Sequence, residues 1–369
     1  MDRFTVISRL RQVLAASVLL ALLVAQQAAA GTVTWNDATA DGKWSTAGNW
    51  TPAGPPQPGD LVVFDATSVS NCTADIVTNN LGGITLAAAY TGTVTFLTNA
   101  VQQGMSLTVT GDIIVAAGNL TFNGDTTAVN GGAAGNPFGI GYALFAQNIS
   151  VSAGAAIHAN GKGFAGNKGP GSAYPSTYPS GHAGGYGGQG GQSLGFLSGL
   201  PYGSVYGPTA LGSGSSGQAG GGAIKLSVSN SITVNGTLSA NGNNDPNIYL
   251  GGSGGSLWIV SGTLAGSGLI AANGGYGGGG GGRIDISGTT NNFAGRLEVL
   301  GAAAYSGGFR GMTGSIVFPQ SAGSGLTLNS FIPTTNIYLG NSLTFSNVLV
   351  TNGITLGLDA NSNNYTYTI

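Results

Sequence analysis

One short phrase recurs along this chain: an apolar residue, a threonine, an apolar residue, with glycine or asparagine close by. It is spelled Ile84-Thr85-Leu86, Val94-Thr95-Phe96, Leu107-Thr108-Val109, Leu120-Thr121-Phe122, Ile232-Thr233-Val234, Leu326-Thr327-Leu328, Leu343-Thr344-Phe345 and Ile354-Thr355-Leu356. Side chains alternate faces in extended backbone, so each phrase puts two apolar groups on one side and a β-branched hydroxyl on the other. A strand this short is not stable alone. Stacked short strands separated by turns complete a shared core, as in a solenoid. The expected fold is therefore all-β: a right-handed parallel β-solenoid (β-helix) with glycine-rich loop insertions.

The first 30 residues read as a signal peptide. Arg3, Arg9 and Arg11 precede an apolar run from Val13 to Val24, and Ala28-Ala29-Ala30 offers a cleavage site before Gly31. The run is short for a membrane span and no second long one follows, so the expectation is a secreted chain, extracellular or on the cell surface, with no span in its mature part. Charge is sparse: 10 Lys and Arg against 12 Asp and Glu in 369 residues, with no basic footprint for a phosphate backbone. Nucleic acid is therefore not an expected partner. A single cysteine, Cys72, excludes an intrachain disulfide framework. It reads as a small buried hydrophobe, with an intermolecular bridge as the alternative.

Residues 31–78 form a tryptophan-rich segment. Trp35, Trp44 and Trp50 are interleaved with Asp37, Asp41, Gly48 and Asn49, ahead of the strand candidate Leu61-Val62-Val63-Phe64. In a chain short of large side chains such residues supply the mass that caps a solenoid; a glycan-stacking face is the alternative. The spelling Gly42-Lys43-Trp44-Ser45-Thr46-Ala47-Gly48-Asn49-Trp50-Thr51-Pro52, followed by Pro58-Gly59-Asp60-Leu61-Val62-Val63-Phe64, resembles a segment of exported bacterial β-helical surface proteins. It is similar to the start of autotransporter-like passenger repeats, over residues 35–65. The resemblance implies that Trp44, Asn49, Trp50, Pro58, Gly59, Asp60 and Phe64 are framework residues of a first coil. It does not extend to an anchor: no Leu-Pro-x-Thr-Gly signal or barrel-type strand series is spelled downstream.

Residues 79–161 read as the first part of the solenoid and 223–369 as the second. Strand phrases ten to thirteen residues apart between Leu81 and Asn130 suit two or three strands per turn. A longer repeat runs Ala143 to Gly161, Ile224 to Gly242 and Ser256 to Gly274, closing on Asn160-Gly161, Asn241-Gly242 and Asn273-Gly274. Asn-Gly suits a sharp turn because both residues tolerate positive φ.

Between these units lie a Gly/Tyr-rich insertion, residues 162–222, and the run Gly274 to Gly282, in a chain holding 69 glycines. Ordering glycine costs much entropy, which favours loops projecting from corners; an ordered layer of bare backbone is the alternative. Tyr174, Tyr178, Tyr186, Tyr202 and Tyr206 are the candidate contact surface. The segment Tyr365-Thr366-Tyr367-Thr368-Ile369 is a strand pattern with an open edge, a candidate for end-to-end assembly.

Catalytic constellations are few. His158 and His182 are the only histidines, and alternation after Ile157 points His158 outward. Gly252-Ser253-Gly254-Gly255-Ser256 has no base and acid to make it a nucleophile elbow. Asp112 with Asp125, and Arg283 with Asp285, are the carboxylate groupings a polysaccharide-degrading β-helix enzyme would need, but turn-capping and salt pairing explain them as well. Asp60 and Asp65 read as turn caps. No metal-ligand spacing and no cofactor motif is present, so neither is expected. The function expected is structural or adhesive: a component of a microbial surface, extracellular fibre or biofilm matrix, meeting its own copies or surface glycans. A carbohydrate-binding module or a polysaccharide-degrading enzyme is the alternative.

Overall fold

A computed structural model describes residues 30–102, 104–127, 138–172, 183–191, 198–215, 217–244, 250–286, 290–303 and 310–317, together with the five short strands beyond them. In chain order the strands are β1 (Thr32–Trp35), β2 (Trp50–Thr51), β3 (Leu61–Phe64), β4 (Cys72–Ala74), β5 (Gly83–Leu86), β6 (Thr93–Phe96), β7 (Ser106–Thr108), β8 (Ile113–Val115), β9 (Asn119–Phe122), β10 (Tyr142–Val151), β11 (Ala156–His158) and β12 (Ala223–Val234). They continue as β13 (Thr237–Ser239), β14 (Ser256–Gly266), β15 (Leu269–Ala271), β16 (Arg283–Asp285), β17 (Thr290–Phe293), β18 (Arg296–Glu298), β19 (Ser315–Val317), β20 (Leu326–Leu328), β21 (Asn336–Tyr338), β22 (Leu343–Thr344), β23 (Val348–Val350) and β24 (Tyr367–Thr368). A short 3-10 turn spans Ala47–Asn49.

The chain is nearly all β and its strands pair in parallel. One large sheet has the order β2-β1-β3-β5-β8-β10-β12-β14-β16-β19-β21, with β7 beside β10 and β17 beside β14. A second sheet runs β18-β15-β13-β11-β9-β6-β4. Between β3 and β15 the chain visits the two sheets in turn, β7 apart, leaving each large-sheet strand for one of the smaller sheet. The large sheet is mixed, because β2 lies antiparallel to β1.

Equivalent apolar positions lie above one another. Ile84, Ile113, Ile149, Ile232 and Leu264 form one row in the large sheet. Val94, Leu120, Ile157, Leu238 and Ile270 form another in the small sheet. Both rows belong to one continuous buried cluster, which extends from Val33 and Trp35 to Ile316. Burying each such side chain contributes about 1.5–3 kcal/mol. The threonine-centred phrases supply these rows where they are described: Ile84, Leu86, Val94, Phe96, Leu120, Phe122, Ile232 and Val234 are all buried. Leu107 and Val109 are buried too, although β7 ends at Thr108 and Val109 joins Leu81 only through an isolated bridge. Ile354-Thr355-Leu356 lies outside the described residues.

The longer repeat is in register over its closing half, where Ile157 faces Leu238 and Leu238 faces Ile270. Its opening half is displaced by one residue from the sequence match. Ala143 faces Lys225, and Ile224 faces Leu257. Bulges between Ala146 and Asn148 and between Val228 and Ser231 absorb the difference. A further rung follows in β16, β17 and β18, pairing Ser256 with Arg283 and Ile270 with Leu297. Its closing position carries Leu300 where the others carry asparagine, which hides it in the sequence.

The closures also work differently from the expectation of positive φ. Of the three closing pairs only Gly161 lies in the left-handed region, at φ 62°. The asparagines instead form a ladder between rungs. The Asn241 N–H donates to Asn160 Oδ1 at 2.7 Å, the Asn273 N–H to Asn241 Oδ1 at 2.7 Å, and the Leu300 N–H to Asn273 Oδ1 at 2.8 Å. Each turn thus receives an acceptor from the rung before it, without any charge.

The glycine-rich runs are the clearest departure from the expected projecting loops. Segments 183–191 and 210–215 and the glycines of 277–282 are mostly buried and hydrogen-bonded to one another and to neighbouring glycine stretches, whereas residues 200–209 stay largely at the surface. The Gly184 N–H reaches Gly251 O at 3.2 Å while Gly184 O accepts from Gly280 at 2.9 Å; Gly254 N–H reaches Gly280 O at 2.9 Å, and Gly188 N–H reaches Gly281 O at 2.8 Å. These backbones lie too close for side chains. A Cβ on Gly254 would stand 2.2 Å from Ala272 O, and one on Gly188 2.1 Å from Met312 O. Neither glycine is held at positive φ, so close approach is the reason for glycine at both. Segments 183–191 and 210–215 of the insertion lie against the stretches that lead into β12, β14, β16 and β19.

Two substitutions separate these contributions. Ile157→Ala should lower unfolding free energy by about 2–5 kcal/mol, whereas Thr95→Ala on the outer face should stay within about 0.5 kcal/mol, both read from urea titrations. Gly254→Ala should cost about 1–3 kcal/mol or more although it only adds a methyl group; an unchanged midpoint would remove the close-packed glycine account.

Candidate functional site

The outer face of the large sheet carries the most composite arrangement of side chains. Alternation turns Ala143, Lys225, Trp258 and Asp285 away from the core, and register sets them in one row across β10, β12, β14 and β16. The Lys225 ammonium stands 3.8 Å from the Trp258 ring centroid, a cation–π contact. Residues 203–209 of the insertion cross this row. The Gly207 N–H donates to Asp285 Oδ2 at 2.6 Å, and a Cβ at Gly207 would lie 3.3 Å from the Trp258 ring. Beside the crossing lies a groove of about 250 Å³ lined by Ile140, Gly141, Tyr142, Ala143, Thr209, Ala223 and Lys225. Its walls are largely apolar and Lys225 supplies its cation.

A buried latch holds the insertion there. The Tyr186 hydroxyl lies 2.6 Å from Ser256 Oγ, which donates to Ala210 O at 2.6 Å. The Tyr202 hydroxyl donates to the Leu211 carbonyl and accepts from Ser213 Oγ at 2.8 Å. The Arg283 guanidinium donates to Tyr202 O and to Ser315 Oγ, both at 2.9 Å, and its carbon stands 5.3 Å from the Tyr186 ring centroid. Burial pushes the Tyr186 phenol up to about 12, Arg283 opposing it, and holds Tyr202 well above the usual phenol range. Both therefore act as neutral hydrogen-bonding groups.

The candidate contact tyrosines consequently divide. Tyr186 is fully buried and Tyr202 half-buried, so the first is a packing residue and not a contact; Tyr206 is 43% exposed. Tyr174 and Tyr178 lie outside the described residues, as does His182. The three N-terminal tryptophans are packing residues as well, which removes the glycan-stacking alternative and not the reading of them as apolar mass. Trp35, Trp44 and Trp50 are enclosed, with Trp35 and Trp50 edge to face at 5.1 Å and Trp44 and Trp50 at 4.9 Å. They pack with Phe64 at the end of the large sheet, where no ring face is open to a sugar. Asn49 anchors the loop between them: Nδ2 donates to Asp41 Oδ1 at 2.6 Å and to Lys43 O at 3.0 Å, and Oδ1 accepts from the Thr39 hydroxyl at 2.6 Å. The amide of Lys43, and then the hydroxyl of Thr46, also donate to Asp41 and keep its carboxyl down at about 2.

The remaining ionisable candidates have structural partners. Asp60 accepts from the Gly31 and Gln57 amides, and Asp65 from the Thr67 amide. Asp112 accepts from Asn148, and Asp125 from Thr127. Arg283 and Asp285 share a face but turn to different groups, the latch and Gly207. His158 is half-buried; Nε2 lies 3.0 Å from Thr121 Oγ1 and Nδ1 is enclosed without a hydrogen-bond partner. Cys72 is buried, and burial raises its thiol far above the usual range, which removes it from bridging between chains. Tyr367 and Thr368 of the proposed assembly edge pair with Leu343 and Thr344 of the same chain, while Tyr365, Thr366 and Ile369 lie outside the described residues. Among the described residues no three His, Cys, Asp or Glu side chains gather as a metal site, and no helix is long and apolar enough to cross a membrane.

Sequence reasoning missed Lys225 and Trp258. Each is outward by simple alternation, in Ile224-Lys225-Leu226 and Leu257-Trp258-Ile259, but their adjacency depends on the one-residue shift described above. No family model matches the chain, and no curated protein or solved structure does.

Enclosure of His158 and the Lys162 charge beside it both lower its pKa from the ordinary 6.5. The folded state therefore favours neutral imidazole, and its contribution to stability is complete above that pH and declines as pH falls below it, toward the lower folded value. Urea midpoints at about pH 7.5 and about pH 5 should differ more for the native chain than for His158→Gln; equal differences would remove this linkage.

Proposed function

We propose that this chain is a right-handed parallel β-solenoid that serves as a rigid structural or adhesive component of a microbial surface, extracellular fibre or biofilm matrix. One observation supports the reading above the others: parallel strands stack in register around one apolar cluster that continues through both sheets. Right-handed crossovers are the rule for parallel strands returning to one sheet. Stacked at about 4.8 Å, the eleven-strand path of the large sheet makes a body about 50 Å long. Such a body resists bending because apolar side chains tie each rung to the next, and from β12 to β19 backbone in the glycine layer does so as well. The leader expected from residues 1–30 fits export, and the scarcity of charge, offset by asparagine ladders and paired backbone, fits a load-bearing element.

Glycan stacking on the N-terminal tryptophans has no support, because the ring faces it needs are enclosed. Small-angle scattering on the mature chain should give a skewed distance distribution with a constant cross-section, and immunogold labelling should fall outside the cell. A symmetric distribution would overturn the solenoid, and label confined to the cytoplasm would overturn the surface role.

A further inference from the structure

We infer that the groove beside Lys225 is a binding site for a small amphipathic carboxylate, one with an aliphatic or aromatic body and a single negative charge. The lining divides by chemistry. Ile140, Ala143 and Ala223 provide apolar wall, Gly141 and Tyr142 contribute mainly backbone, and Thr209 offers one hydroxyl. The Lys225 ammonium is the cation of this lining, and no carboxylate pairs with it among the described residues; its contact is the Trp258 ring. A ring face orients an ammonium but leaves its donors unused, so a carboxylate entering the groove gains charge-assisted hydrogen bonds. Ligand sites are typically apolar with a few placed polar groups, and about 250 Å³ admits a small occupant. Few polar atoms line the groove, which leaves the hydroxyls of a sugar acid without partners and disfavours that class.

The site is also held in shape before any ligand arrives. Gly207 is fixed to Asp285, and the Tyr186–Ser256–Ala210 chain fixes the segment that carries Thr209. Preformed walls reduce the ordering cost of binding. This inference stands apart from the scaffold reading: a compact particle in scattering would remove the latter and leave the groove untouched.

The probe is octanoate, titrated into the purified full chain by calorimetry and by nuclear magnetic resonance, with octanamide and glucuronate in parallel. Saturable octanoate binding is expected, weakened at least tenfold for octanamide and for glucuronate. Lys225→Met should lose at least tenfold in affinity and Lys225→Arg should retain most of it, with unchanged melting temperatures, since the side chain lies outside the core. Ala143→Leu should block binding by filling the wall while leaving the charge in place. Absence of octanoate binding, equal binding of octanamide, glucuronate binding as tight as octanoate, or full affinity in Lys225→Met would each overturn the assignment.

Discussion

When a strand of three or four residues pairs in parallel with equivalents on both sides, its backbone groups are used and its apolar side chains meet like side chains on each neighbour. Neither benefit exists for one strand alone. The strands of this chain are mostly too short to be stable in isolation, so its stability belongs to the stack. The Ile84-to-Leu264 and Val94-to-Ile270 rows express that constraint. A change in one rung is felt by two others, while the threonines between the apolar residues point away from the apolar cluster; one of them, Thr121, is itself buried against His158.

The chain packs rungs in a second way that dispenses with side chains. Along the glycine-rich stretches, backbone meets backbone at distances no Cβ would tolerate, and the amides and carbonyls satisfy one another across segments far apart in sequence. Glycine loses more entropy on ordering than any other residue. Here that loss is offset by hydrogen bonds and by contact over the whole length of a bare segment. The two modes meet at the entries to β12, β14 and β16, where a glycine run gives way to an apolar alternation within one or two residues.

The insertion between β11 and β12 gains its shape from this second mode. Once its glycine segments lie on the column, Tyr186, Tyr202 and Arg283 close around Ser256 and Ser315, and residues 203–209 cross the outer face above Trp258. A cation, an aromatic ring and an apolar groove thereby come together on a sheet face that would otherwise be a plain surface. The groove is a consequence of folding back, since neither the sheet nor the insertion contains it alone.

Much of this was readable from the residues in order. Alternation in the threonine phrases identifies the inward side chains, because period two admits only one assignment once an apolar face must be buried. The density of tryptophan before Leu61 marks an aromatic cluster. Composition could not choose between loose loops and an ordered glycine layer, since the choice depends on whether a second bare backbone lies within reach. Nor could it tell that Tyr186 is enclosed, or that Lys225 sits over Trp258. Those outcomes rest on register, and register here is decided by bulges at Ala146 and Val228 and by an insertion that returns to the column. Local pattern states which way a side chain points; only the assembled stack states what it points at.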